Sequence, residues 1–228
     1  MAIRGPSAKG LDCVSGARVR IPLSPLNITY NKLLCYRDDN VAVFIYVKMW
    51  YTCNNKSSMK RGITMLITGI EVQDAHALLN LQLQLDKENS FMLYEYGERP
   101  KQLSLVKEMI EHFHDTGSLL LAARTRKELA GYISAERGNA NRISHTAYVV
   151  IGVLEKHQKQ GVGANLMEYL VKWAKSSKIT RLELTVMTHN KAAISLYEKF
   201  GFKQEGIREK AMRVDRKYVD EYYMARLL

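Results

Sequence analysis

Between Gln158 and Leu166 the chain reads Gln-Lys-Gln-Gly-Val-Gly-Ala-Asn-Leu, which sets Gly161 and Gly163 one residue apart. An apolar run precedes this stretch and an amphipathic one follows it. A strand that ends in a glycine-bearing turn and opens a helix gathers backbone N–H groups and the positive helix end at one point, which suits phosphate oxygens. Glycine keeps that point bare, because a Cβ there would hold an anion off. A tight strand-to-helix connection with no ligand is the competing explanation for two glycines alone. Two nucleotide-binding classes fail on residues. A Walker loop needs Lys followed by Ser or Thr, where Asn165 and Leu166 stand, and a dinucleotide fingerprint needs a third glycine at Leu166.

Such a turn must be held by a strand before it and a helix after it. Residues 143–154 read as a long β-branched strand, and past the glycines Val162, Leu166, Tyr169, Leu170 and Trp173 fall on one helical face. Residues 181–187 alternate as a strand, residues 190–200 repeat apolar positions at helical spacing, and Gly201 stops that helix. Upstream, residues 65–70 predict a short strand, and residues 73–85 a helix carrying Leu78, Leu81 and Leu85. After a loop over 89–100, a second helix bears the stripe Leu105, Val106, Met109, Ile110 and Phe113. Residues 118–124 and 129–136 read as a hairpin around Lys127-Glu128, and strands near 203–213 and 217–227 flank an Asp215-Arg216 turn. The pattern predicts an α/β (α+β) domain with a mostly antiparallel sheet and a β-loop-α crossover in its middle.

Composition divides the chain at Met65. Residues 1–64 hold ten Lys/Arg against three Asp/Glu, all three cysteines and three of the four prolines, whereas all six histidines lie beyond. The net charge of +11 therefore resides mainly in the first segment. The run over 41–47 is far short of the roughly 20 apolar residues a membrane span needs, and residues 1–10 have no apolar signal core. Residues 1–64 read either as a basic arm or as a non-native extension from an over-long gene start. Lys60-Arg61-Gly62 can be encoded by a purine run of the kind that forms a ribosome-binding site before Met65, and Val19-Arg20-Ile21-Pro22 is what a transfer-RNA T-arm sequence encodes, so the expectation is a start at Met65 and one functional domain over 65–228.

Gln158-x-x-Gly161-x-Gly163, following the strand Ala147-Tyr-Val-Val-Ile-Gly-Val-Leu-Glu155, resembles the acetyl-CoA loop of the GNAT superfamily of N-acetyltransferases. Asn190-Lys-Ala-Ala-Ile-Ser-Leu-Tyr-Glu-Lys-Phe-Gly-Phe202 is similar to that family's N-x-x-A-x-x-L-Y-x-x-x-G-F segment, and Tyr218 to Met224 is similar to its last strand in bacterial members. The resemblance runs from Met65 to Leu228. It implies a mixed sheet of about seven strands flanked by about four helices and splayed between strands 4 and 5. It also implies acetyl-CoA as co-substrate, no metal, a cytoplasmic setting, and a small-molecule or peptide amine acceptor. Dimers are frequent among such relatives.

The resemblance further implies roles for particular residues. The pantetheine arm pairs with the fourth-strand edge at Val153, Leu154 and Glu155, with Val153 and Glu155 as the contacts. The pyrophosphate rests on the amides of Gln158, Lys159, Gln160, Gly161, Val162, Gly163 and Ala164, and Lys156 or Lys159 meets outer phosphates. Asn190 matches a position that bonds the arm, and at a helix start it would also be a plain N-cap. Tyr197 matches the tyrosine whose hydroxyl faces the cofactor sulfur, a general acid, although an ordinary core tyrosine would occupy the same stripe. For the base, His145, with a pKa naturally near neutrality, Glu136 and Glu221 stand as equals, and each is also read as an ordinary surface residue. No cysteine follows Met65, so direct transfer in a ternary complex is expected rather than an acetyl-cysteine. Acceptor choice falls to the loop 90–99 and to Tyr222 and Tyr223, with Glu95, Glu98, Asp220 and Glu221 favouring a cationic amine. Two other classes compete: a basic nucleic-acid or ribosome-associated protein using residues 1–64, and an acetyl-CoA-binding sensor without turnover.

Overall fold

The structure, a computed structural model, describes residues 65–228 and the backbone of two short strands further upstream. Those strands, Ile28–Thr29 and Trp50–Tyr51, pair antiparallel within a separate N-terminal unit. The expectations for residues 1–64, including the run over 41–47 and the start at Met65, otherwise lie outside the described residues.

The described unit runs β1 (Leu66–Gly69), α1 (Ala75–Glu88), α2 (Leu103–Asp115), β2 (Leu119–Arg124), β3 (Leu129–Arg137), β4 (Thr146–Val153), α3 (Val162–Ser176), β5 (Arg181–Met187), α4 (Lys191–Lys199), β6 (Lys203–Val214) and β7 (Lys217–Leu227). Spatially the strands lie in the order β1-β2-β3-β4-β5-β7-β6. Every described neighbouring pair among these seven is antiparallel except β4 with β5, whose connection is the α3 crossover that a parallel pair requires. Seven strands, four helices and the mixed sheet agree with the expectation.

The ladder around β4 is uneven. On its β3 side β4 is paired from Ala147 to Val153, but on its β5 side it is paired only at Thr146↔Arg181, Ala147↔Leu182 and Tyr148↔Glu183. From Val149 onward the two parallel strands part. The expected splay is therefore present, closed at Tyr148 and open towards Val153.

The sheet is covered on both faces. Leu78, Leu85, Val106, Ile110 and Phe113 of α1 and α2 pack on Leu120, Ala122, Leu129 and Tyr132. α3 packs against β2, β3 and β4 through Leu166, Met167, Leu170 and Ala174, all fully buried. Each such large aliphatic contributes about 1.5–3 kcal/mol by leaving water. Among the described residues no helix is long and apolar enough to cross a membrane.

Two expectations need correcting. Leu105 is exposed, because Val106 lies one turn before Ile110 on the core-facing stripe and its neighbour, about 100° round the helix, faces out. β4 begins at Thr146 rather than at residue 143, because Ser144 Oγ donates to Asn141 O (3.1 Å) and Thr146 Oγ1 to Ile143 O (3.0 Å), turning the chain locally.

Candidate active site

At the open end of the gap, β4 gives way to a short 3-10 turn, Glu155–His157, and then to Gln158–Gly161. Gly161 has φ +84°, the left-handed conformation that a glycine adopts without strain, and starts α3 with no side-chain cap. The helical ladder opens with Asn165 N–H donating to Gly161 O (2.9 Å). The N–H groups of Val162, Gly163 and Ala164 therefore have no intrahelical acceptor and carry the positive end of the helix. A Cβ on Gly163 would come within 3.1 Å of Leu196 on α4, so the second glycine is where α3 and α4 approach tightly.

Side chains hold this loop in place. Gln158 Nε2 donates to Val153 O (3.1 Å) and Gln160 Nε2 to Lys156 O (2.8 Å). Glu128 receives Lys156 Nζ at 2.8 Å and His157 Nε2 at 3.0 Å, and those two partners hold its carboxyl below the usual carboxylate range. Lys156 is thus tied to Glu128, whereas Lys159 is exposed, at φ +57°. The Glu155 N–H, expected at the arm, donates instead to Glu88 Oε2 on α1 (2.8 Å).

The strand edge has a definite polarity. Leu154 N–H donates to Ala130 O of β3 (3.0 Å), and along an antiparallel ladder alternate residues face opposite neighbours. Ile151 therefore turns its N–H and C=O to the gap and Val153 its N–H, the Val153 C=O accepting from Gln158, while Leu154 is turned away and buried. α4 follows β5, the strand on the far side of the gap, and approaches α3 at Gly163. It is capped by Asn190, whose Oδ1 accepts from Ala193 N–H (3.2 Å), and Gly201, at φ +79°, turns the chain away two residues past its end at Lys199. Between them Tyr197 is 7% exposed, its ring 5.8 Å from that of Phe202. Among the described residues its hydroxyl has no hydrogen-bond partner. Burial, with the nearby Tyr148 phenol adding to it, pushes the Tyr197 pKa well above the ordinary tyrosine value.

The three expected bases fare differently. His145 lies in the turn before β4, exposed, at the closed end of the gap, with its carbonyl accepting from Thr180 and Arg181 N–H. It is not mid-strand, because the turn that delays β4 excludes it. Glu136 is exposed and 3.2 Å from His112 Nε2 of α2. Glu221, on β7 opposite Met187, is 7% exposed, with Arg208 Nη1 3.5 Å away. The loop after α1 reaches the same end of β5, where the Phe91 and His189 rings meet at a tilt with their centres 5.3 Å apart. Of the acids expected at the acceptor, Glu98 accepts from Glu95 N–H and Asp220 from Lys210 N–H, so both are engaged locally. One pair is absent from the sequence-based expectations: Tyr148 Oη lies 2.9 Å from Thr185 Oγ1, spanning the gap just past the last paired residues. The available signal is a tyrosine within an otherwise aliphatic strand.

Two predictions arise here. Gly161→Val forces a β-branched residue into the left-handed region, at a cost of about 1–2 kcal/mol, and screens the helix amides; acetyl-CoA affinity measured by calorimetry should fall at least about tenfold. Tyr132, buried against α1 and α2, also has its pKa raised by burial. The folded state keeps both phenolic protons to higher pH than the unfolded chain does, so this stability is complete below about pH 10 and declines above it. Denaturant midpoints should be level to about pH 9 and fall beyond about pH 10; a level midpoint through that range contradicts the assignment.

A family model described as "Acetyltransferase (GNAT) family" matches residues 82–202. The L-amino acid N-acetyltransferase AaaT of Escherichia coli (strain K12) is 34% identical over 101 residues, which is 44% of this chain and 62% of that protein, so the match spans under two thirds of the relative. The crystal structure of a GNAT-family acetyltransferase from Streptococcus pneumoniae superposes with TM-score 0.68 at 27% identity, over 72% of this chain and 99% of that one. The yncA structure from Salmonella typhimurium, described with its cofactor acetyl-CoA, shares the fold with TM-score 0.65 at 18% identity, over 72% of this chain and 94% of its own.

Proposed function

The chain belongs to the acetyltransferase (GNAT) family, and from that membership we propose that it moves an acetyl group from acetyl-CoA to a primary amine by direct transfer in a ternary complex. The observation that carries this reading is one continuous path. The uncapped start of α3 lies at one end, the open β4 edge at Val153 and Ile151 follows, and at the closed end Tyr148 is near enough to the buried phenol of Tyr197 to act on it electrostatically. Those features fit a co-substrate with phosphates at one end and an amide-bearing arm at the other. When bound, acetyl-CoA supplies an acetyl group already activated as a thioester.

The chain's own residues do the rest. The N–H groups of Val162, Gly163 and Ala164 hold pyrophosphate oxygens. The backbone of Val153 and Ile151 bonds the arm and orients it along β4. Tyr197, kept protonated by its burial, donates its proton to the departing sulfur. The attacking amine must be neutral, and we assign Glu221 to take up its proton. It is the buried one of the three candidates and lies on β7 beside the gap-lining end of β5, whereas Glu136 engages His112 and His145 sits beyond the closed end. No cysteine occurs in residues 65–228 to carry an acetyl group.

The acceptor class follows from the loop after α1. Phe91 is exposed there against His189, just past the end of β5, and Leu93 and Tyr96 of the same loop are also exposed, which supports an amine bearing an apolar side chain. The E. coli relative is named for L-amino acids, so these are the first amines to test. Release of free thiol from acetyl-CoA by the full chain, across L-amino acids, polyamines, aminoglycosides and peptides with free N-termini, is expected to depend on at least one amine. Binding of acetyl-CoA without amine-dependent release would instead favour a sensor. A covalent acetyl-enzyme trapped without amine would refute direct transfer.

A further inference from the structure

The hydroxyl pair Tyr148–Thr185 bridges β4 and β5 from the last paired residue of β4 to a residue of β5 just past the pairing. It lies across the closed end of the gap. By strand rise, Val149 to Val153 provides about 13 Å of open edge, and an arm entering from Gly161 runs along it towards Tyr148. The acyl group sits at the leading tip of that arm, so whatever closes the gap is what the acyl group meets.

The surroundings of Tyr148 are also informative. Its side chain, 42% exposed, lines a partly open surface cleft of about 310 Å³ together with Arg181, Glu183, Glu205 and Tyr223. Arg181 bonds Glu183 Oε2 at 2.7 Å and Glu205 Oε1 at 3.0 Å, so the charged groups of this cleft neutralise one another in part and hold their positions without a ligand. Tyr148 therefore stands both at the closed end of the gap and on the rim of this cleft. Thr185 fixes the ring through its hydroxyl, and no other side chain is hydrogen-bonded to Tyr148 among the described residues.

We propose that Tyr148, held by Thr185, is the residue that limits the acyl donor to a short chain, and that removing it joins the gap to the neighbouring cleft and admits propionyl and butyryl groups. The inference rests on the acetyl-CoA reading above. A wall of this kind discriminates on the scale known for single methylenes in apolar pockets, roughly 10- to 200-fold.

The test measures calorimetric affinities of the full chain for CoA, acetyl-CoA, propionyl-CoA and butyryl-CoA. The wild type is expected to bind CoA and to favour acetyl-CoA over butyryl-CoA at least about tenfold. Tyr148→Ala is expected to keep its affinity for CoA and to reduce that preference at least about tenfold. Tyr148→Phe and Thr185→Val, which free the ring without opening the gap to the cleft, should reduce it by a smaller factor. A preference unchanged in Tyr148→Ala, with CoA affinity intact, overturns the proposal, as does a wild type that does not discriminate. If Tyr148→Ala does not fold, unchanged preferences in both milder variants overturn it. A wild type that binds neither CoA nor acetyl-CoA overturns the acetyl-CoA reading itself, a result distinct from the others.

Discussion

Tyr197→Phe is expected to lower kcat by about 10²- to 10⁴-fold, the usual contribution of a positioned general acid, with the KM for acetyl-CoA nearly unchanged. The substitution removes one oxygen from a ring whose packing against Phe202 it leaves intact. Its hydroxyl has no partner among the described residues, so no structural bond is broken and stability should hold. A phenol kept neutral by burial remains a proton donor throughout the physiological range. The loss therefore belongs to kcat, because the proton is needed only as the carbon–sulfur bond breaks. Measurement of kcat and KM separately with the best amine decides the matter. An unchanged kcat means that water supplies the proton and that Tyr197 is a packing residue.

Asp86→Ala should cost about 3–5 kcal/mol of stability, the range for removing one partner of a buried ion pair. Asp86 has a side chain only 1% exposed and is bonded by Arg99, itself 13% exposed, through both Nε and Nη2. The Arg99 guanidinium also lies 4.6 Å from the centre of the Tyr94 ring. Without the carboxylate, that cation is left in a pocket largely closed to water. At about 2–4 °C per kcal/mol for a domain of this size, the melting temperature should fall by about 6 °C or more. Replacing both partners with leucine should recover most of the loss, since the pair gains little over apolar packing of the same shape. The same anchor sets the base of the loop bearing Phe91, so the KM for the amine should rise alongside. A loss under about 1 kcal/mol would show that the loop is held elsewhere.

What is legible in the chain follows the range of the forces involved. The stripe Val162, Leu166, Tyr169, Leu170 and Trp173 is local and periodic, and all of it is buried. Gly161 announces its left-handed turn by its identity, and Asn190 its cap. A parallel pair that parts after three rungs leaves no local mark; the splay is expected through resemblance rather than periodicity. Leu105 and Val106 both fit the apolar stripe of their helix, and only the position of the sheet beneath decides which faces in. His145 lies outside the strand because side-chain-to-backbone bonds from Ser144 and Thr146 outcompete the strand propensity of Ile143. Asp86 with Arg99, and Tyr148 with Thr185, are pairs whose partners lie 13 and 37 residues apart, and nothing in either partner's own neighbourhood names the other.

The unpaired edge of β4 leaves the sheet incomplete in its interior, flanked by strands that part rather than close on each other. A molecule that donates and accepts along that edge, at Ile151 and Val153, completes the sheet in a way that the unfolded chain cannot reproduce. Native persistence thereby becomes a function of supply: a ligand at about 100 times its Kd adds about 2.7 kcal/mol, so the domain's lifetime against proteolysis would track the abundance of its own co-substrate.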